Sequence, residues 1–249
     1  MRFCVLTIFP EMFEAFSGYG IMRRALESQS VSLEPVNIRD YAGGRHRVTD
    51  DRPFGGGSGM VMKPEPLAAA IQAARSKQPG SPCVLLSPQG RCFDQETARK
   101  YAGFEGIIFV CGRYEGIDER VCQSYIDDEI SIGDYVLTGG ELAAMVVMDA
   151  VIRHIPGVLG AEDAAQCDSF SGHRLEYAHY TRPRVFEKKE VPEVLLSGNH
   201  GAISAWRKES ALLRTVLKRP DLLEETGLTQ AEKKIVKKWI LYLESLASD

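Results

Sequence analysis

Over the first two-thirds of the chain, short continuous apolar runs alternate with amphipathic stretches. The runs are 3–8 (FCVLTI), 83–87 (CVLLS), 107–111 (IIFVC) and 129–132 (EISI), and the helical patterns lie near 20–28, 64–76, 94–102 and 117–124. The short apolar runs read as strand candidates. The alternation predicts an α/β domain with a mainly parallel sheet. Segment 141–154 (ELAAMVVMDAVIRH) is apolar almost all round, so it must be buried on most sides. It is too short to span a bilayer, so the burial must be against protein, either this chain's own core or a second copy. Pro156 and Gly157 end it.

Beyond that point the pattern changes. Residues 160–174 (GAEDAAQCDSFSGHR) are small and polar and read as a linker. A proline-marked stretch follows, then 201–219 sets Ile203, Trp206, Leu213 and Leu217 on one helical face before Pro220. The last helix opens with Thr229 and Glu232, a T-x-x-E capping box. Val236, Trp239, Ile240 and Leu243 form its apolar stripe, and Lys234, Lys237 and Lys238 cluster on another face. The expected organisation is an α/β domain over 1–159, a flexible linker over 160–174 and a small helical domain over 175–249.

Composition narrows this modestly. A chain of 249 residues can bury a proper core in one or two domains. Cys4, Cys83, Cys92, Cys111, Cys122 and Cys167 show no metal-ligand spacing and mostly sit in apolar runs, the pattern of small buried thiols in a reducing compartment. Pro10 and Glu11 break the N-terminal apolar run before any signal-type cleavage site, so it reads as a core strand and the expected location is cytoplasmic. The net charge of −4 is unevenly placed, with 13 Lys and Arg against 11 Asp and Glu from Leu175 onward. A weakly basic C-terminal part can carry a phosphate-contacting face despite the acidic total.

Three stretches combine a strand end with a glycine turn: LLSPQG (85–90), VCGRYEGIDERV (110–121) and SIGDYVLTGGEL (131–142). In open α/β sheets, ligands sit beyond the carboxyl ends of strands, and glycines let backbone groups approach them. None of the three follows the dinucleotide or P-loop pattern, and none carries lysine, so a flat neutral group read by backbone amides suits them better than a phosphate. Each alone reads as an ordinary βα turn; together they suggest one pocket. A fourth stretch, DDRPFGGGSGMVM (50–62), reads either as a mobile flap over a site or as a surface loop.

These strings, with FPEMF, RHRVTDDRPFGGGSGM, IPGVLG, DSF, HYTRP and VPEVLLSGNH in order from residue 9 to about 207, resemble the bacterial tRNA (guanine-N1)-methyltransferase (TrmD) family of the SPOUT superfamily. GRYEGIDERV with SIGDYVLTGGE is the most specific pair. The resemblance implies a SPOUT-type fold with a deep trefoil knot, followed by the helical domain. It implies that the knot loops hold S-adenosylmethionine through Leu86, Ser87, Pro88, Gly112, Tyr114, Glu115, Ile132, Gly133, Asp134, Tyr135, Val136, Leu137, Gly139 and Gly140. Ala143 stands where the family commonly has proline, which removes no reactive group. The implied general base is Asp168, assisted by Arg153, acting on the guanosine just 3′ of the anticodon. Asp50, Gly59, His179, Arg182, Ser197, His200 and Arg207 stand as substrate contacts, with Arg182, Arg184, Arg207, Lys208 and the final lysines as the phosphate contacts. The implied partners are the tRNA anticodon arm and a second copy of the chain in a homodimer, with no membrane. Magnesium assistance is also implied, but no carboxylate cluster marks a site, and IDDE (126–129) reads as a charged face leading into a strand.

Three other readings remain open: a knotted methyltransferase acting on a ribose hydroxyl, a non-catalytic RNA-binding protein, and a glycine-loop nucleotide enzyme. The last lacks the P-loop lysine.

Overall fold

The computed structural model describes residues 1–160 and 168–247. The chain forms two compact units, one ending at Glu162 and the other beginning at Asp163.

The first unit runs β1 (Arg2–Thr7), α1 (Met12–Ser17), α2 (Gly20–Glu27), β2 (Ser32–Asn37), a 3-10 turn (Ile38–Tyr41), a small hairpin of β3 (Asp50–Asp51) and β4 (Val61–Met62), α3 (Pro64–Lys77), β5 (Cys83–Cys92), α4 (Gln95–Ala102), β6 (Gly106–Cys111), α5 (Glu119–Tyr125), β7 (Asp128–Ser131) and α6 (Glu141–Ile152). Five strands pair in the order β2-β1-β6-β5-β7, every pair parallel. Alternate residues of a strand face opposite sides. Phe3, Val5 and Phe109 therefore pack with Met22, Tyr101, Val147 and Met148 from α2, α4 and α6. Cys4, Leu6, Ile108 and Val110 pack with Leu67, Ile71 and Val121 from α3 and α5. Burial on both faces is why β1, β5 and β6 begin as unbroken apolar runs.

Two features depart from the sequence expectation. Strand β5 does not stop near Ser87: Leu86 and Arg91 both register with Ile130, so Ser87–Gly90 loops out and the strand resumes. Gly90 permits this, because an added Cβ would sit 2.6 Å from the Glu129 carbonyl oxygen. Strand β2 carries Pro35 and exposed Ser32 and Glu34, so no apolar run marks it in the sequence. It is an edge strand, where a missing N–H is tolerated.

Helix α6 buries Ala144, Val147, Met148 and Val151 but leaves Leu142 and Val146 about half exposed, at 51% and 49%. The expected burial on most sides is thus met on one face within the chain, since a helix lying on a sheet is covered from that side only. Cys4, Cys83 and Cys111 are buried as expected, and burial pushes the Cys4 and Cys83 thiols up to about 12. Cys92, past the excursion in β5, is exposed; Cys167 lies outside the described residues.

The second unit contains a hairpin of β8 (Val185–Phe186) and β9 (Lys189–Glu190), a 3-10 turn (Glu193–Leu196), α7 (His200–Lys218), α8 (Asp221–Thr226) and α9 (Gln230–Ala247). The capping box forms as read: Thr229 N donates to Glu232 Oε2 at 2.7 Å and Glu232 N to Thr229 Oγ1 at 3.2 Å. The end of the expected linker belongs to this unit. Residues 168–174 make a turn in which Ser171 N donates to the Asp168 carbonyl (3.1 Å) and Phe170 N to the Arg174 carbonyl (2.8 Å). Among the described residues, no helix is long and apolar enough to cross a membrane.

Candidate active site

A cavity of about 350 Å³ opens at the carboxyl ends of β6 and β7 and at the Ser87–Gly90 excursion of β5. Three loops wall it. Gly140 donates its N–H to the Gly112 carbonyl at 2.9 Å, lacing the third loop onto the end of β6. No side chain fits there: a Cβ on Gly140 would lie 2.8 Å from Cys111 Cα. Gly133, at φ 143, closes a tight turn in which Ser131 Oγ donates to the Gly133 carbonyl and Tyr135 Oη to the Ile132 carbonyl. Helix α6 then starts regularly despite Ala143, with Ala144 N donating to the Gly140 carbonyl at 2.9 Å.

The cavity lining contains Leu86, Ser87, Pro88, Gly112, Tyr114, Glu115, Ile132, Gly133, Tyr135, Val136, Leu137, Gly139 and Gly140. Asp134, the remaining sequence candidate, is exposed and outside the lining. Electrostatically the cavity favours a cation. Glu115, Glu119 and Glu129 line it, no lysine does, and its one arginine, Arg113, is engaged elsewhere.

That engagement was not read from the sequence. Arg113 Nε donates to Glu141 Oε2 at 3.0 Å, Thr7 Oγ1 donates to Glu141 Oε1 at 2.7 Å, and Arg113 Nη1 reaches the Thr138 carbonyl at 3.2 Å. The Arg113 guanidinium also lies 4.6 Å from the Phe9 ring centroid. Glu141 is fully buried, so the pair ties the end of β1, the loop after β6 and the start of α6 at one point. An acid opening an otherwise apolar helix was the available signal, but its partners stand 28 and 134 positions away.

The glycine-rich stretch adjoins the same loops. Asp50 registers with Met62 in the β3–β4 hairpin, Glu115 N donates to the Met60 carbonyl (3.0 Å) and Met62 N to the Gly116 carbonyl (2.9 Å). Gly59, at φ 92, packs directly on the Glu115 side chain.

Arg153 caps the carboxyl end of α6 in the first unit, and neighbouring His154 Nε2 lies 3.0 Å from Gln95 Nε2. Asp168 belongs to the second unit, where it lines a cavity of about 510 Å³ with Tyr177, His200, Arg207 and Lys208. The Arg207 guanidinium sits 4.8 Å over the Tyr177 ring, and the His179 ring lies 4.6 Å from the same ring. Ser197 stands just before α7, accepting from Asn199 N at 3.1 Å; Arg182 and Arg184 are exposed. In IDDE, Asp127 pairs with Arg75 at 2.7 Å and Asp128 with Arg91 at 2.7 Å, so both carboxylates fasten the sheet. Among the described residues, no group of three or more His, Cys, Asp or Glu is arranged to hold a metal ion. The implied magnesium finds no matching donor set among them.

Fold and cavity define a parallel α/β protein with a glycine-lined cavity at its strand ends, in a chain whose second unit has a cavity lined by Tyr177, His200, Arg207 and Lys208 among others. The family model described as tRNA (Guanine-1)-methyltransferase TrmD matches residues 1–225, leaving α9 outside the match. The chain is 59% identical to the tRNA (guanine-N(1)-)-methyltransferase of Desulfatibacillum aliphaticivorans, over 96% of this chain and 91% of that protein. It is 56% identical to the protein of the same name from Geobacter sulfurreducens (94% and 95% covered) and 50% identical to that of Geobacter metallireducens over the whole of both chains. The chain belongs to the tRNA (guanine-1)-methyltransferase family.

Proposed function

We propose that the protein transfers a methyl group from S-adenosylmethionine to ring nitrogen 1 of the guanosine just 3′ of the anticodon in tRNA. The observation that carries the reading is the glycine-lined, lysine-free cavity in a chain of this family. A flat neutral adenine suits walls of backbone and apolar side chains, and Glu115, Glu119 and Glu129 suit a positively charged methionine part. When bound, S-adenosylmethionine supplies a methyl on a sulfonium, already a strong electrophile. Leu86–Pro88, Gly112–Glu115 and Ile132–Gly140 would hold it and exclude water.

The obstacle is the nucleophile, because guanine nitrogen 1 carries a proton at neutral pH. Asp168 is the general base that takes it, an effect worth ~10²–10⁴-fold. Arg153 stabilises the negative charge that develops on the guanine carbonyl oxygen, or orients the base. The second unit grips the anticodon arm, where a loop nucleotide can be splayed out and stacked; Tyr177, His179, His200 and Arg207 suit such contacts. Asp50 and Gly59 would contact substrate from the first unit.

We further propose that the loops around Gly140 form a trefoil knot and that two copies pair through the exposed Leu142 and Val146 of α6. Each site would then draw on both copies, in the cytoplasm where tRNA is found. Sedimentation showing only monomer at working concentration would overturn the pairing. The activity is tested by methyl transfer to an unmodified tRNA transcript, with mass spectrometry locating the methyl. Transfer should vanish when that guanosine is replaced; a methyl found on ribose, or none with wild-type transcript, would refute the reading.

A further inference from the structure

The Asp168 turn is fastened to the rest of its unit through its last residue, Arg174, while the Arg219 guanidinium lies 5.7 Å over the Phe170 ring. Within it, Phe170 (φ 71) and His173 (φ 54) adopt left-handed backbone, which is unfavourable for residues with a Cβ and persists only where the surroundings enforce it. Arg174 ends the turn, and its guanidinium engages all five of its N–H donors. Nε reaches Glu232 Oε1 at 2.8 Å; Nη1 reaches the His173 carbonyl at 2.8 Å and Thr226 Oγ1 at 2.9 Å; Nη2 reaches the Gly227 carbonyl at 2.8 Å and Glu232 Oε2 at 3.1 Å. One residue thus closes the turn on itself through His173 and fastens it to the end of α8 and the start of α9. Both partners of the ion pair are mostly buried, at 17% and 19% exposed. Glu232 is rigid in turn, because the same carboxylate completes the α9 capping box with Thr229. Downstream, Leu175 N donates to Thr215 Oγ1 and Glu176 N to Ser169 Oγ, so the segment leaving the turn is moored as well.

We propose that Arg174, clamped by Glu232 of the last helix, is the positioning residue that sets the orientation of the Asp168 turn for proton removal. This rests on Asp168 being the base. A fork that engages five acceptors is a device for fixing geometry, and small displacements of a catalytic group cost rate more than binding. Lysine cannot replace it, since it presents a point charge in place of the planar fork.

The test uses the full-length protein, unmodified tRNA transcript and S-adenosylmethionine, with single-turnover methyl transfer and tRNA affinity measured separately. Glu232→Gln and Arg174→Lys should each lower the single-turnover rate about tenfold or more, while the tRNA Kd moves less than about threefold. Should either variant lose its circular-dichroism signal, Thr226→Val decides, since it removes one bond to Arg174 from an exposed helix end; its rate should fall about twofold to threefold. Wild-type rates in the folded variants, or a loss confined to tRNA affinity, would overturn the proposal. Asp168→Asn is run beside them. If it transfers at the wild-type rate, the base assignment fails; if it is slow while Glu232→Gln is fast, only the clamp fails.

Discussion

The two units are held together in different ways. The first has a sheet whose β1 and β6 are buried on both faces, with Phe3, Leu6, Ile108 and Phe109 at 0% exposure. In the second, the buried apolar residues among those described are Leu212 and Leu222, while Leu217, Leu241 and Leu243 are largely exposed. Its order comes instead from polar moorings: Arg174 to Glu232, Ser210 to Ala178 N, Thr215 to Leu175 N and Trp239 Nε1 to Glu209. A close-packed core gives a fixed frame for a small-ligand cavity, whereas directional bonds on a thin core specify one arrangement yet yield more easily.

Four substitutions probe this contrast, and both tryptophans, Trp206 and Trp239, lie in the second unit, so their fluorescence follows that unit alone. The largest effect is expected for Phe109→Ala, about 3–5 kcal/mol in chemical unfolding followed by far-ultraviolet circular dichroism. The tryptophan signal should shift little if the units unfold independently. Next comes Arg113→Met, which strands the buried Glu141 carboxylate and should cost about 3 kcal/mol. It should also weaken S-adenosylmethionine binding by calorimetry, because the pair and the Arg113 bond to the Thr138 carbonyl fasten the loop after β6 to the loop that leads into α6, two walls of the cavity.

Glu232→Gln should destabilise the second unit by about 2 kcal/mol at pH 7. The hydrogen-bonded Arg174 guanidinium holds the Glu232 carboxyl down at about 2, well below the ordinary glutamate value of 4.5. A depressed carboxylate stabilises the fold fully above its unfolded pKa and loses that contribution as pH falls through the folded one. The gap between wild type and variant, read by tryptophan fluorescence in urea, should therefore narrow from pH 4.5 toward 2. A gap independent of pH would mean the ion pair is not what holds the turn. The smallest change is expected for Leu243→Ala on α9, within about 0.5 kcal/mol, since Leu243 is 62% exposed. A cost of several kcal/mol there would show that a partner covers this face in solution.

How much was legible in advance follows the same division. The strands β1, β5 and β6 were readable because each begins as a continuous apolar run buried on both faces; β7, at the other edge, showed only through the short run around Ile130. Strand β2 was not readable, because an edge position admits Pro35 and polar side chains. The capping box at Thr229 was visible because its two residues are three apart. The second bond of Glu232, to Arg174, was invisible because the partner lies 58 positions earlier in a stretch that reads as linker. Of the cavity, the three glycine loops were recognisable singly, and the family resemblance supplied their common guest.

By itself, the sequence determined what depends on neighbours along the chain: the βα alternation, the glycine turns, the helix start at Thr229 and the family. The tertiary structure decided what depends on residues far apart meeting. Parallel pairing brought the ends of β6 and β7 beside the excursion of β5, and only then did the glycine loops enclose one cavity. The same convergence set Thr7 and Arg113 on Glu141, and Arg174 on Glu232. Local periodicity encodes which face a residue takes; it carries no record of which distant residue waits on that face.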